Sequence, residues 1–305
     1  MSDIAAGRVC IIGSLNIDTT LRVTRLPGAG ETVLARSRHS SPGGKGANQA
    51  AAAAALGSQV RFVGAVGADA HGEHGLAALQ ARGIDTSGTL RAKDSPTGTA
   101  VILVSDDGEN LIVVDPGANA DLDEEWVTRT LRSGTEEVLL AQLEVPVPTL
   151  LTAAQTRTPH CFILNPAPMP DLTTLMPLLQ HVDVLVPNRT ELGQLAGRPT
   201  PTSMEQVREC VAHLAFQGTL VVTLGAEGAA IFDPTGTLVE QVPAPPVDVV
   251  DTSGAGDAFC GALAHELAQP GTTISSAVRR AVHLAATSTQ HVGAQVSPAF
   301  GDLVP

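Results

Sequence analysis

The chain has 305 residues, 43% of them hydrophobic and 16% charged, which supports a folded core rather than a disordered polymer. A net charge of −13, a single Trp and no Tyr argue against nucleic acid as the main partner, because phosphate backbones need basic patches and bases need stacking surfaces. An anionic small molecule stays compatible where the local charge is positive.

In chain order, short apolar and β-branched runs predict strands at Val9–Ile12, Val60–Val66, Ala100–Val104, Leu111–Val114, Val138–Leu143, Cys161–Leu164, Val182–Val186 and Leu220–Leu224. Ala- and Leu-rich stretches between them predict helices at Gly46–Leu56, His71–Arg82, Leu122–Arg132, Pro148–Gln155, Met204–Phe216 and Ala255–Ala268. Repeated strand–helix alternation implies an α/β fold, a mostly parallel sheet with helices on both faces and its site at the carboxyl ends of the strands. Two excursions, roughly 18–41 and 95–115, break the alternation with extended runs and turn signals. Asp106-Asp107-Gly108 marks a hairpin within the second. Together they predict a small β-sheet lid on a single domain spanning 1–305.

Cys10, Cys161, Cys210 and Cys260 are isolated in sequence and suit a reducing, cytoplasmic setting. The N-terminus lacks a cleavable signal pattern, and no apolar run approaches the ~20 residues of a membrane span. His71 and His74 have helical spacing without a third ligand nearby, which reads as a solvated face rather than a zinc site.

The strongest chemical signal is Asp251-Thr252-Ser253-Gly254-Ala255-Gly256-Asp257, opening an apolar helix. Small residues let backbone approach a ligand, and a helix start directs N–H groups and a positive dipole end at an anion. A carboxylate at such a spot, Asp257, is placed to take the proton of an attacking hydroxyl; the competing reading is a plain first-turn charge. Gly43-Gly44-Lys45-Gly46-Ala47-Asn48-Gln49-Ala50 is a Gly-rich helix start but not a Walker A loop, since Gly46 follows Lys45. Gly13-Ser14-Leu15-Asn16-Ile17-Asp18 sets Asn16 and Asp18 on one side of an extended chain, suited to a diol or to a capped turn. Asn188-Arg189-Thr190-Glu191 fits either a hydrated Mg²⁺ neighbourhood or a capping box. Thr223-Leu224-Gly225-Ala226-Glu227-Gly228 is a strand-to-turn segment that suits nucleotide phosphates or a tight turn.

These strings together resemble the ribokinase (PfkB) family of sugar kinases. Gly43–Ala50 and Asp251–Asp257 match its two signatures, and Gly13–Asp18, Pro96-Thr97-Gly98, Pro116–Asn119, Gln142-Leu143-Glu144 and Asn165–Pro168 extend the likeness from about residue 8 to Ser297. The resemblance implies a ribokinase-like, Rossmann-like fold and ATP-dependent phosphorylation of D-ribose at its 5-hydroxyl. Asp257 would be the base, within an anion hole made by Gly254, Ala255 and Gly256. It implies a sugar site of Asn16, Asp18, Gly44, Lys45, Asn48 and Glu144. It implies an ATP site of Asn188, Thr223, Leu224, Gly225, Ala226, Glu227, Gly228 and Gly256, with Glu191 near Mg²⁺. A K⁺ site would use Asp251, Ser253, Ser288, His291, Gly293 and Ser297. The lid would also build a homodimer. Gln142 is expected to matter less than Glu144, with strand neighbours facing opposite ways. Two departures stand out: Val282 lies where members often carry His or Asn near adenine, and the usual final helix is missing after Ser297. Alternatives are the same chemistry on deoxyribose or a nucleoside, or a non-catalytic sugar-binding protein. A dehydrogenase is disfavoured, because the first strand lacks a Gly-x-Gly-x-x-Gly turn.

Overall fold

A computed structural model describes residues 7–132, 138–156 and 161–296. From the N-terminus the elements are β1 (Arg8–Ile12), β2 (Asn16–Arg22), β3 (Ser37–Gly43), α1 (Lys45–Ala55), β4 (Gln59–Val63), β5 (Ala65–Gly67), α2 (Ala70–Gln80) and β6 (Leu90–Ala92). Next come β7 (Gly98–Val104), β8 (Asn110–Asp115), α3 (Glu124–Leu131), β9 (Val138–Gln142), α4 (Val147–Thr156), β10 (Cys161–Asn165), α5 (Leu172–Leu179) and β11 (Val184–Leu185). The remainder is α6 (Arg189–Leu195), α7 (Met204–Leu214), β12 (Thr219–Thr223), β13 (Ala229–Phe232), β14 (Leu238–Val242), α8 (Ala255–Leu267) and α9 (Ile274–Ser288).

The main sheet has the order β14-β13-β12-β11-β10-β9-β1-β4. Its run from β12 to β4 is parallel, and β13 and β14 add antiparallel at one edge. Strand alternation sends Val9 and Ile11 to one face, packed with α1, α2, α8 and α9. Cys10 and Ile12 face the other layer, built on α3, α4, α5, α6 and α7. Both faces are covered, so the central strands read as continuous apolar runs.

α1 and α8 pack closely because both present small residues. A β-carbon on Gly261 would stand 2.5 Å from the Gln49 carbonyl oxygen and 2.6 Å from the Ala52 β-carbon. The Ala50–Ala55 run therefore lies in the helix predicted over Gly46–Leu56 and packs closely on α8.

The two β excursions form one four-stranded sheet, β3-β2-β7-β8. β2 and β7 are parallel, and β7 and β8 form the antiparallel hairpin marked by Asp106–Gly108. The sheet reaches slightly beyond the expected bounds, with β2 starting at Asn16 and β3 ending at Gly43.

The run Val60–Val66 is not one strand. The chain turns at Gly64, where a β-carbon would meet Gly13 O at 2.6 Å, and β5 leaves the main sheet to pair with β6. β6, β13, β14, α5 and α9 have no counterpart among the predicted elements. The polar positions of the edge strand β14 and the Ser and Arg residues along α9 weaken their apolar signals.

Candidate active site

α8 begins at the glycine that the sequence marks. Its N-cap, Gly254, sits at φ 73°, in the left-handed region where a side chain is strained. A β-carbon there would also lie 2.1 Å from the Ala294 carbonyl oxygen. Helix geometry leaves the first-turn N–H groups without intrahelical acceptors, although Ala255 N–H turns back to Thr252 O at 3.2 Å. Gly256 faces open space where a β-carbon would stand. Asp257 follows in the same turn and is only 7% exposed.

Asp257 is held from α1. Asn48 Nδ2 donates to Oδ2 at 3.0 Å, and Gln49 Nε2 donates to Oδ1 at 3.0 Å. Asn48 Oδ1 is a buried acceptor without a hydrogen-bond partner, suited to a ligand hydroxyl.

Near Asp257 the expected sugar residues converge. Glu144 accepts hydrogen bonds from the Ser14 hydroxyl and from Lys45 N–H, the latter at 3.0 Å. Burial, then Glu144 and Asp257, push the Asp18 carboxyl up to about 6. Burial works against the Lys45 charge, but Asp257, Glu144 and Glu191 outweigh it and raise the ammonium above its usual value. Gly44, at φ 88°, lets α1 start hard against β2, where a β-carbon would meet Asn16 N at 2.8 Å. Asn16 Oδ1 accepts from Asn119 Nδ2 at 2.7 Å, and Asn119 also clamps the Leu15 backbone through bonds of 3.0 and 3.2 Å.

Asp257 also lines a cleft with Lys45, Asn165, Ala167, Val186, Asn188, Glu191, Thr223, Gly254, Gly256 and Cys260. The cleft brings five chain-distant segments onto the carboxyl ends of the parallel strands, as the fold class requires.

Residues 6–299 match the pfkB family carbohydrate kinase. The chain belongs to that family. It is 37% identical over 290 residues to a ribokinase of Bacillus subtilis, covering 94% of each chain. It is 36% identical over 295 residues to a deoxyribokinase of Salmonella typhi, covering 95% of this chain and 94% of that one. Its fold superposes on the structure of Arabidopsis thaliana ribokinase complexed with ribose and ATP, with a TM-score of 0.83, 32% identity and 98% coverage of both chains.

In this pfkB-family chain Asn188 and Glu191 form a capping box at the start of α6, with Glu191 N–H donating to Asn188 Oδ1 at 2.9 Å and Asn188 N–H to Glu191 Oε2 at 2.8 Å. Both residues still line the cleft. Burial is the main cause that raises the Glu191 carboxyl above its usual range. Thr223 lies beside Asn188, its N–H bonded to Pro187 O at 2.9 Å.

The 224–228 turn is more structural than expected. Leu224 buries its side chain, and its backbone N–H and C=O are used within the turn by Gly228 and Glu227. Glu227 pairs with Arg189 at 2.7 Å. Ala226 is exposed, and Gly225, at φ 63°, opens to free space.

The two segments expected to hold a monovalent cation do meet. Val250 and Asp251 N–H both donate to Thr289 O, at 2.8 and 2.9 Å. Asp251 accepts from Ser253 N–H and Gly293 N–H at 2.9 Å each. Burial opposes its charge, but these backbone donors prevail and hold the Asp251 carboxyl below its usual range. Ser288 spends its hydroxyl proton on Ala285 O at 2.8 Å, keeping its oxygen lone pairs, and His291 is exposed. Ser297 lies outside the described residues. Among the described residues no group of three or more His, Cys, Asp or Glu is placed to hold a metal ion.

Strand alternation does not rank Gln142 below Glu144. Gln142 ends β9, is fully buried and donates to Gln49 Oε1 at 2.6 Å. Residues two apart on a strand share a face, so alternation never separated Gln142 from Glu144. Gln49 stands within the glycine-rich string 43–50, where no local signal marks an amide as the partner of a distant carboxylate.

Proposed function

We propose that this chain transfers the γ-phosphoryl group of ATP to the 5-hydroxyl of D-ribose, giving D-ribose 5-phosphate and ADP. The observation that carries the reading is the buried Asp257 in the first turn of α8, lining the cleft beside Gly254 and Gly256 and bonded to Asn48 and Gln49 of α1. For the sugar, Asp18, Glu144, Asn16 and Asn48 offer acceptors to its hydroxyls. Gly44 leaves room, and Lys45 balances the carboxylates. Asp257 takes the hydroxyl proton as the oxygen attacks, while the Gly254–Gly256 turn, with the Gly256 N–H as its free donor and the Ala255 N–H released from Thr252 O, meets the charge that develops on the phosphoryl oxygens. Asn188, Thr223 and the Gly225–Gly228 turn hold the nucleotide.

Glu191 and Asn188 fit a hydrated Mg²⁺, which takes few protein oxygens and neutralises phosphate charge. Asp251, with backbone carbonyls and hydroxyls of Ser253, Ser288, His291, Gly293 and Ser297, fits K⁺: one charge among neutral oxygens. Ordering that loop sets the Ala294 carbonyl against Gly254 and preforms the anion hole.

We further assign 1–305 to one kinase domain whose four-stranded sheet closes over the sugar and excludes water. That lid would build a homodimer. No helix among the described residues is long and apolar enough to cross a membrane. No disulfide joins the four cysteines, which suits a reducing compartment and supports a cytoplasmic setting.

A second reading is deoxyribose as acceptor, favoured by the likeness to the Salmonella deoxyribokinase. A coupled ADP-release assay across pentoses, deoxyribose, hexoses and nucleosides decides. D-ribose is expected to have the highest kcat/KM; preference for deoxyribose moves the assignment there, and no sugar-dependent ADP release removes it.

A further inference from the structure

Gln49 and Gln142 lie outside the residues assigned above to sugar, nucleotide or cation, yet both are fully buried. Their hydrogen bonds have one self-consistent direction. An ionised carboxylate only accepts. Asn165 donates its Nδ2 to Val186 O at 3.1 Å, so its Oδ1 also accepts. Gln49 must therefore turn its amide nitrogen to both, at 3.0 Å to Asp257 Oδ1 and 3.3 Å to Asn165 Oδ1. That leaves Gln49 Oε1 facing Gln142, which must present its own nitrogen, at 2.6 Å.

The surroundings hold this chain of amides in place. Gly13 leaves the room Gln142 occupies, since a β-carbon there would lie 2.0 Å from Gln142 Oε1. On the other side Gly261 of α8 packs on the Gln49 backbone. The amide chain thus links the end of β9 to the first turn of α8 through rigid elements.

We infer that Gln49 and Gln142 are positioning residues for Asp257, fixing its carboxylate rotamer and leaving a free lone pair on each oxygen for the attacking hydroxyl. The inference rests on Asp257 being the base. Gln49 binds the carboxylate directly. Gln142 acts through Gln49, by preventing its amide from turning its oxygen toward Asp257.

The test compares Gln49→Met, Gln142→Met, Gln49→Glu and Asp257→Asn in kcat, sugar KM, melting temperature and the pH profile of kcat. Methionine keeps length and bulk but removes the donor. Gln49→Met is expected to lower kcat about 10- to 100-fold with sugar KM changed by less than about threefold, because a misplaced reacting group costs rate more than binding. Its acid limb should move to higher pH, since the charged form of the base loses a donor. Gln142→Met should move the limb the same way by less. Gln49→Glu sets a second carboxylate against Asp257 and should regain activity relative to the parent as pH falls. Asp18, Lys45, Glu191 and Cys260, which also act on or respond to Asp257, and Glu144 beyond Lys45, are unchanged in all three glutamine variants.

Methionine variants with kcat within about twofold of the parent and an unmoved limb would overturn the inference. So would a loss of rate that follows melting temperature alone with the limb unmoved. Should Gln49→Met not fold, Gln142→Met and Gln49→Glu carry the same decision. Turnover retained by Asp257→Asn removes the base and the inference together. A dead Asp257→Asn beside unaffected glutamine variants removes only the inference.

Discussion

A β-carbon on Gly43 would stand 2.0 Å from Oδ2 of Asp18 and 2.4 Å from its Cγ, so glycine at 43 is what leaves the Asp18 carboxylate its place across the β2–β3 pair. Gly43→Ala should displace that carboxylate without touching the nucleotide cleft. A charged hydrogen bond is worth roughly 1.5–3 kcal/mol, so sugar KM should rise about 10- to 100-fold. Steady-state kinetics in both substrates check this. An equal rise in ATP KM would show a general disturbance instead.

Asp18 also links function to stability. Its carboxyl is pushed up to about 6, so the folded state holds its proton more tightly than the unfolded chain does. The favourable contribution is complete below the ordinary carboxylate value near 4 and disappears as pH rises through about 6. At pH 8 the ionised Asp18 therefore destabilises the fold. Asp18→Asn should be more stable than the parent there by roughly 1–2 kcal/mol, after allowance for partial exposure, with the gap closing by pH 4. The same variant should bind sugar more weakly. Denaturant titrations at both pH values test the stability half.

Asp257→Asn should lose about 10²–10⁴-fold in turnover, the usual cost of a missing general base. The amide keeps the shape of the carboxylate, so calorimetric binding of sugar and of ATP should persist. Near-parental turnover in a folded variant would take Asp257 out of the mechanism.

K⁺ should activate and Na⁺ should do so poorly. The two loops joined by Asp251 and Thr289 offer one charge among neutral oxygens, a set suited to a large monovalent ion. Titration of K⁺ into tetramethylammonium buffer at fixed ionic strength reads the response. Asp251→Ala should abolish the response while keeping a basal rate, because Asp257 and its helix start are untouched. A flat titration in the parent would exclude the site.

β8 exposes every residue from Asn110 to Asp115, including Ile112 at 55% and Val113 at 60%. Apolar residues of both strand faces and an unpaired edge are left to solvent in a single chain, which favours a second copy as cover. Paired Ile112→Lys and Val113→Lys changes should convert a dimer to a monomer in sedimentation velocity. A monomeric parent would remove the lid dimer.

Much of this protein is written in short segments. Asp106–Gly108 turns the hairpin, the Ala run packs a helix, and Gly254–Asp257 opens α8, because each depends on residues a few positions apart. The partition of Val60–Val66 was decided only when Gly64 met Gly13. That the capping box of Asn188 and Glu191 also lines a cleft likewise needed the tertiary structure, since a capping box looks the same with or without one. The relay behind Asp257 is the clearest case. Gln142 and Gln49 are 93 residues apart, and either would pass for an ordinary polar residue in its own segment. Burial makes an unpaired amide costly, so once the sheet and α1 enclose both, each must find a partner of the right polarity. That constraint exists only in three dimensions, and it is what aims the chain at the carboxylate.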